Sequence, residues 1–330
     1  MLSQDAKLIE HIFDTDSLEK KSTRDGFGKG VVEAGKQDDR VVVLCADLAE
    51  STRSEDFKKE FPDRYVEIGV AEQNLATVAS GMANYGKIPF ITSYAAFSPG
   101  RSFEQVRTTI CLNNVPVKIM GMHAGVSVGP DGATHQPLED MGLMRMLPRM
   151  TVINPCDVIE AKKAVLATAF SDKPVYIRFG RANTPIFTTE DTPFEVGKAY
   201  TVWESDAPEV AIIASGSLVY NALCAAQELE HEGIRTLVVN NHTIKPMDEE
   251  TVIEAARKTG AVVTVEEHQV SGGMGSAVAE ILCQNCPVMM QMVGVHDQFG
   301  QSGEPEELIE HYGMGVTGIK DAVRQLRDRK

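Results

Sequence analysis

Short apolar runs rich in valine and isoleucine alternate with longer stretches of helical periodicity along almost the whole chain. The run at residues 41–46, VVVLCA, is apolar at every position, so a strand formed from it must be covered on both faces. Such strands alternating with helices are typical of a parallel sheet flanked by helices. The sequence therefore predicts an α/β fold built on mostly parallel sheets.

The predicted elements fall into two groups. The first group has strands at 41–46, 65–68, 88–92, 115–120, 151–154 and 175–179, with helices at 72–82, 102–111 and 157–170. The second has strands at 209–214, 235–240, 261–266 and 288–293, with helices at 219–232, 249–259 and 276–283. A Pro/Thr-rich connection runs from 181 to about 203, where we expect a hairpin. We predict an N-terminal extension at 1–19, a first domain at 20–186, a linker at 187–202 and a second domain at 203–330.

Composition argues against several classes of partner. The net charge of −15 argues against nucleic acid and against an anionic membrane, because both favour positive charge. The apolar runs are too short to span a bilayer, and the charged N-terminal segment does not resemble a signal peptide. We expect a cytoplasmic protein. Cys283 and Cys286 form a CxxC without a second pair, which disfavours a zinc or redox site.

Chemically useful side chains follow successive predicted strands at the points where those strands end. They are Asp47, Ser51, Glu72, Tyr94, Phe97, His123, Asp131, His135 and Arg181. The carboxyl ends of parallel strands meet at one edge of a sheet, and ligands bind there. Each residue also has a structural alternative: a helix cap for Asp47, a first-turn carboxylate for Glu72, and a core position for Phe97. The conjunction on one edge favours a ligand site.

The chemistry of this set narrows the ligand. Arginines such as Arg24 and Arg181 bind phosphate through their planar fork, and a histidine can move protons at an oxygen. An isolated carboxylate and an aromatic ring suit a heterocycle. The pattern predicts acid–base chemistry on a phosphorylated polyol beside an aromatic heterocycle.

Four stretches carry a family resemblance: GVAEQNLATVASGMA, TSYAAFSPGRSFEQVR, HAGVSVGPDGATHQPLED and RFGRANTP. Together they resemble the transketolase family of thiamine diphosphate enzymes, over nearly the whole chain from about Lys20. The likeness is to the C-terminal half of a full-length transketolase, in which a pyrimidine-binding domain precedes a C-terminal domain. VEEHQVSGGMGSAVAE, in the second domain, is similar to the family's C-terminal domain, which would mainly support assembly.

The resemblance implies roles at the cofactor. Glu72 would hydrogen-bond the N1′ nitrogen of the aminopyrimidine of thiamine diphosphate, and would hold a proton there. Phe97 would stack on the pyrimidine ring, with Tyr94 and Phe103 completing an aromatic wall. Asp47 would lie near the thiazolium end.

The resemblance also implies roles at the substrate. Arg24, Ser51, His123 and Arg181 match the family's sugar-phosphate clamp. Asp131 would read a substrate hydroxyl, and His135 would hydrogen-bond the ketose and assist proton transfer, with His123 as its partner in the chemistry. The glycine-rich loop would let sugar and cofactor approach its backbone.

The family's N-terminal half, which holds the diphosphate and its Mg²⁺ through a Gly-Asp-Gly motif, is not expected in this sequence. Gly129-Pro130-Asp131-Gly132 is not that motif, because proline replaces its first glycine and the position falls in the loop expected to bind the sugar. The resemblance therefore implies one subunit of a split transketolase. An N-terminal partner chain would supply the diphosphate site, in a heterotetramer of two chains of each kind. The reaction would move a two-carbon ketol unit from a ketose phosphate to an aldose phosphate, as in the pentose phosphate pathway.

Two alternatives remain open from the sequence. Deoxyxylulose-phosphate synthase and the β subunit of 2-oxoacid dehydrogenases have similar domains, although His123 and THQPLED favour transketolase over the dehydrogenase subunit. A non-catalytic assembly module that kept the fold is the alternative from a different class.

Overall fold

A computed structural model describes residues 1–15 and 17–330. The first sheet has seven strands in the order β12-β6-β7-β5-β4-β2-β3, all parallel except β12. Their bounds are β2 Val41–Cys45, β3 Tyr65–Glu67, β4 Ile88–Tyr94, β5 Lys118–Met122, β6 Thr151–Ile153, β7 Val175–Arg178 and β12 Thr243–Lys245. β2 is buried at every position, as the run without polar residues predicts.

The second sheet has five strands in the order β14-β13-β10-β11-β9, and only β9 is antiparallel. These strands are β9 Tyr200–Glu204, β10 Val210–Ala214, β11 Thr236–Asn240, β13 Ala261–Gln269 and β14 Met289–Val295. The predicted fold class, two mostly parallel sheets covered by helices, is confirmed.

Helices cover both sheets. They are α1 Thr23–Gln37, α2 Ser54–Glu60, α3 Glu72–Asn84, α4 Phe103–Gln105 (continued as a π-helix over Val106–Leu112), α5 Asp140–Arg145, α6 Val158–Ala169, α7 Leu218–His231, α8 Glu249–Thr259, α9 Met274–Asn285, α10 Pro305–His311 and α11 Val316–Arg329. The predicted helices correspond to α3, α4 with its continuation, α6, α7, α8 and α9, whereas α1, α2, α5, α10 and α11 were not among them. α2, α5 and α10 are only six or seven residues long, which gives a helical period little room to show.

The hairpin expected in the connection between 181 and 203 is wrong. β8 Thr184–Pro185 pairs instead with β1 Lys20–Lys21, and β9 joins the edge of the second sheet. Both partners lie far away in sequence, so local turn signals could not identify them. The connection is thereby held by strand pairing at both ends.

The two sheets exchange chain segments. β12 comes from the second half of the sequence yet extends the first sheet beside β6. In the other direction, Leu2 bridges to Trp203, and the buried Ala6 and Ile12 belong to the core of the second sheet. One apolar cluster also runs from Leu44 and Ile119 in the first sheet to Ile213 and Val239 in the second. The two halves therefore share a core.

A buried ion pair lies at this junction. Arg178, at the end of β7, donates from Nε to Asp140 Oδ2 over 2.9 Å, and both side chains are almost completely inaccessible. Arg178 also donates to the backbone oxygen of Glu267 in β13, and Tyr176 donates to Asp140 over 2.6 Å. The polar groups at the junction are thus paired with one another across the two sheets.

Candidate active site

The predicted site residues gather at the carboxyl edge of the first sheet. Glu72 follows β3 as the first residue of α3, Tyr94 ends β4, His123 follows β5, and Arg181 follows β7. Because β7, β5, β4 and β3 run parallel in one sheet, with only β2 between β4 and β3, their ends meet at one edge. The placement expected from the sequence holds for these four residues.

Glu72 is a carboxylate almost entirely removed from solvent, with 1% of its side chain exposed. Ser93 Oγ donates to Oε1 over 3.2 Å, and Arg101 Nη1 donates to Oε2 over 2.7 Å. A carboxylate buried to this extent needs such partners, because removal from water disfavours an isolated charge. Sequence analysis did not identify Arg101 or Ser93 as parts of the site.

Arg101 also contacts Phe97, since its guanidinium carbon lies 4.7 Å from the centroid of that ring. The distance is that of a cation–π contact. Glu72, Arg101 and Phe97 therefore form one contiguous group at the edge of the sheet.

Three further rings extend this group from Phe97. Tyr94 and Phe97 are stacked at 6.1 Å between centroids, and Tyr94 lies 3.9 Å from the ring of His123. His135 meets Phe97 edge-on at 5.3 Å and Tyr94 at 6.1 Å. Residues from two loops, after β4 and after β5, thus converge on one aromatic surface.

Phe103 does not belong to this surface. It packs with the apolar cluster that contains Leu75, Ala79 and Val106, and within residues 1–15 and 17–330 no ring contact joins it to the four rings. The aromatic wall expected at this point therefore consists of two phenyl-type rings and two imidazoles. Position in the sequence could not decide whether Phe103 faces the ligand site or the core, because Phe103 begins a helical turn beside the site.

Arginines lie at the other end of the ring cluster. Arg24 Nη1 donates to the backbone oxygen of Ser51 over 2.6 Å, and Nη2 donates to the backbone oxygen of Arg181 over 3.1 Å. Arg181 Nη1 donates to the backbone oxygen of Val128 over 2.8 Å. In the part of the chain that the structure describes, neither guanidinium has a carboxylate partner. Their charge is available to an anionic ligand.

Burial and neighbouring charge act on both Arg24 and His123. Burial lowers the pKa of Arg24 to about 10, reinforced by the positive charge of Arg53, so the guanidinium stays charged at neutral pH. Burial, followed by the charges of Arg24 and Arg181, lowers the pKa of His123 to about 2. His123 is therefore a neutral imidazole, which does not support the expectation that it carries protons near pH 7.

The tautomer of His123 follows from its contact. Arg24 Nη1 lies 3.4 Å from His123 Nε2, and because a guanidinium only donates, Nε2 accepts and Nδ1 carries the proton. That Nδ1 is buried without a partner among the described residues. A buried donor of this kind is expected to have a ligand partner in the working site.

The remaining predicted residues lie at the rim. Asp47 is exposed and has a left-handed backbone (φ 59), with its N–H donating to Glu67 Oε1 over 2.8 Å. Asp131 is exposed at the tip of the loop after β5. Ser51 meets Arg24 only through its backbone oxygen. Among the described residues, no hydrogen bond joins the side chain of Asp47 or Asp131 to the rings of Tyr94, His123 or His135.

The loop after β5, residues 124–136, rests on the second domain, and we call it the sugar loop after the role that the family resemblance implies for it. Glu267 Oε1 accepts from the N–H of Ser127 over 2.6 Å, and Gln136 Nε2 donates to the backbone oxygen of Gln301 over 2.9 Å. A Cβ at Gly132 would lie 2.7 Å from Ser302 Oγ. The sequence explains the glycines of this loop by the close approach of ligands, which is only part of the reason. Glycine at these positions also leaves room for side chains of the second domain.

Other features of the chain stand apart from this edge. Cys283 and Cys286 are free thiols at the end of α9. Within 1–15 and 17–330, no group of histidine, cysteine, aspartate and glutamate side chains has the arrangement of a metal site. No helix in the same residues has the length and apolar character needed to cross a bilayer.

Comparison with known proteins decides the family. The profile "Transketolase, pyrimidine binding domain" matches residues 19–186, and "Transketolase, C-terminal domain" matches residues 197–319. The chain belongs to the transketolase family. Membership in this family implies dependence on thiamine diphosphate.

Three relatives resemble the chain over almost their whole lengths. A "Putative transketolase C-terminal section" of Methanocaldococcus jannaschii is 41% identical over 92% of this chain and 96% of its own length. The "6-deoxy-6-sulfo-D-fructose transketolase subunit SqwH" of a Clostridium species is 40% identical over 95% of this chain and 97% of its own. A solved structure titled "Split gene transketolase, inactive beta4 tetramer" superposes with a TM-score of 0.86 at 44% identity, covering 93% of this chain and 98% of that one.

The residues of this transketolase-family chain fit the pyrimidine end of the family cofactor. The group that already lies between Glu72 and Phe97 is a flat cation with N–H donors. An aminopyrimidine is also flat, and its N1′ nitrogen would form the hydrogen bond expected with the Glu72 carboxyl group, so the same carboxyl group and the same ring face can hold it.

Proposed function

We propose that this chain is the C-terminal subunit of a split transketolase that transfers a two-carbon ketol unit between sugars with an anionic terminus. The observation that carries the proposal is one unbroken series of contacts from the buried carboxylate of Glu72 to the guanidinium of Arg24. The series runs through Arg101, Phe97, Tyr94 and His123, with successive distances of 2.7, 4.7, 6.1, 3.9 and 3.4 Å. A cofactor end and an anion end are thus joined within one site.

When bound, thiamine diphosphate supplies the reactive carbon centre that breaks and forms bonds next to a carbonyl group. This chain's part is to bind and orient. Glu72 holds the aminopyrimidine by a hydrogen bond in a site screened from water, and Phe97 fixes the plane of that ring. The diphosphate and Mg²⁺ are assigned to an N-terminal partner chain, in a heterotetramer with two chains of each kind.

At the sugar end, Arg24 and Arg181 bind the terminal anion, with Ser51 beside them. The neutral His123 donates from Nδ1 to a substrate oxygen, and His135 is the histidine left to move protons at the ketose. Asp131 reads a hydroxyl from the rim, and Asp47 contributes on the thiazolium side. Phosphate and sulfonate both suit the two guanidinium groups, and the name of the Clostridium relative makes a sulfonated ketose a specific alternative to a ketose phosphate.

The proposal is tested in the complex of this chain with its N-terminal subunit. Calorimetric titration of thiamine diphosphate and Mg²⁺ is expected to show tight binding to the complex and none to this chain alone. Tight binding by the chain alone would contradict the assignment of the diphosphate site to a partner.

Catalysis is tested with a matched pair of variants. Glu72→Ala is expected to abolish ketol transfer by the complex, whereas Glu104→Ala, an exposed glutamate in α4, is expected to leave it unchanged. Turnover that survives Glu72→Ala would refute the catalytic assignment. A panel that pairs a ketose phosphate with 6-deoxy-6-sulfo-D-fructose then identifies the donor.

A further inference from the structure

One cationic side chain lies where the proposed cofactor ring has to bind. Arg101 reaches over the edge of the first sheet and places Nη1 2.7 Å from Glu72 Oε2, while its guanidinium carbon lies 4.7 Å from the centroid of Phe97. Ser93 already donates to Oε1 of Glu72, so Arg101 binds the other carboxylate oxygen. Its guanidinium also covers the face of the Phe97 ring. Arg101 thereby satisfies both groups that an aminopyrimidine would need.

The two partners of this ion pair differ in their exposure to solvent. Glu72 is 1% exposed and fixed in the first turn of α3, whereas 49% of the Arg101 side chain is exposed. The backbone N–H of Arg101 donates to the oxygen of Phe97 over 2.9 Å, so the start of the side chain is anchored beside the ring. The guanidinium can therefore leave Glu72 by rotating into solvent without moving the backbone.

We propose that Arg101 is a latch that occupies the aminopyrimidine position in the unloaded chain and is displaced when the cofactor enters. This inference rests on the proposed function, because the displacing ligand is thiamine diphosphate. The latch keeps the buried carboxylate paired while no cofactor is present, which avoids an isolated charge in the interior. It also makes cofactor binding a competition against an internal ligand, so the apparent affinity is the intrinsic affinity multiplied by the fraction of chains that are unlatched.

The latch itself is measured on this chain alone, without cofactor or partner. The variants Arg101→Gln, Glu72→Gln and the double variant form a double-mutant cycle in urea unfolding. Arg107→Gln is the matched control, because Arg107 is an exposed arginine of the same segment that has no hydrogen bond or ion pair to Glu72. We expect coupling of about tenfold in the unfolding equilibrium, the lower end for a charge-assisted hydrogen bond, because one partner is half exposed. Additive effects would overturn the latch.

Displacement is measured by calorimetric titration of thiamine diphosphate with Mg²⁺ into the complex with the N-terminal subunit. Arg101→Gln is expected to bind the cofactor about tenfold more tightly than the natural chain, since no internal ligand has to leave. Arg107→Gln is expected to bind as the natural chain does. Unchanged or weaker binding by Arg101→Gln would overturn the proposal, because Arg101 would then accompany the bound cofactor.

The two measurements separate the two proposals. Coupling in the isolated chain together with no cofactor binding by any complex overturns the proposed function, and with it thiamine diphosphate as the displacing ligand. Absent coupling together with tight cofactor binding overturns the latch and leaves the proposed function standing.

Discussion

Substitution of Gly125 by alanine tests how firmly the sugar loop is seated on the second domain. Gly125 has φ 91 and ψ 174, a backbone conformation that is almost confined to glycine. A Cβ there would lie 2.2 Å from Glu267 Oε1 and 2.3 Å from its Cδ, so the loop or the carboxylate must move. Either movement breaks the 2.6 Å hydrogen bond from the N–H of Ser127.

The magnitude follows from these two effects. The backbone conformation costs about 1–3 kcal/mol for a residue with a Cβ. Loss of a hydrogen bond to a charged group costs about 1.5–3 kcal/mol. We expect Gly125→Ala to lower the free energy of unfolding by about 3 kcal/mol or more, measured by urea titration with linear extrapolation.

Gly81→Ala is the matched control. Gly81 lies inside α3, and a Cβ there meets nothing within 4 Å, so alanine is expected to raise the free energy of unfolding by about 1 kcal/mol through helix propensity. In the assembled enzyme, Gly125→Ala is further expected to raise the KM for the ketose with little change in cofactor affinity. An unfolding midpoint equal to that of the natural chain would refute the close packing between loop and second domain.

Three further predictions concern buried charge. Burial lowers the pKa of Lys118 to about 7 from 10.5. Between these two pH values the unfolded chain binds one proton more than the folded chain at this lysine, so the free energy of unfolding rises with pH across that window. In Lys118→Met, the urea midpoint should no longer rise with pH there. Asp140→Asn leaves the buried Arg178 without its counter-charge and should lower the free energy of unfolding by about 3–5 kcal/mol. Glu280→Ala removes the exposed partner of Arg145 and should lower it by less than about 1 kcal/mol. Equal losses would contradict the burial of the first pair. Arg24→Gln should raise the KM for an anionic ketose far more than for its uncharged analogue, and equal effects on both would exclude Arg24 from anion binding.

The sequence was sufficient for the fold class and for most strands of the two sheets, because the signal for those elements is local. The run that forms β2 and the helical period of α3 each lie within one segment, so their types could be predicted without knowledge of the rest of the chain. β12 could not be predicted in this way. Its three residues are a strand only because β6, about ninety positions earlier, offers an open edge.

The site shows the same division. Strand-end position predicted that Glu72, Tyr94 and His123 would converge, because the topology of a parallel sheet brings those ends together. It could not predict the ion pair from Arg101 to Glu72, since Arg101 lies in a turn whose direction depends on the packing around it. The environment of side chains could not be predicted either. The sequence contains a histidine at position 123, and only its burial against Arg24 makes that imidazole a neutral donor.

The seating of the sugar loop gives the two ends of the site different structural supports, although His135 of that loop still contacts Phe97. The proposed pyrimidine end is built from the start of α3, the end of β4 and the loop that follows β4, whereas the proposed sugar end is backed by the backbone oxygen of Gln301 and the side chain of Ser302 in the second domain. In the proposed function, a substitution at Ser302 would alter how a sugar fits by shifting the loop at Gly132, without changing the group formed by Glu72 and Arg101. Substrate preference would then diverge through the second domain while the cofactor end stays constant.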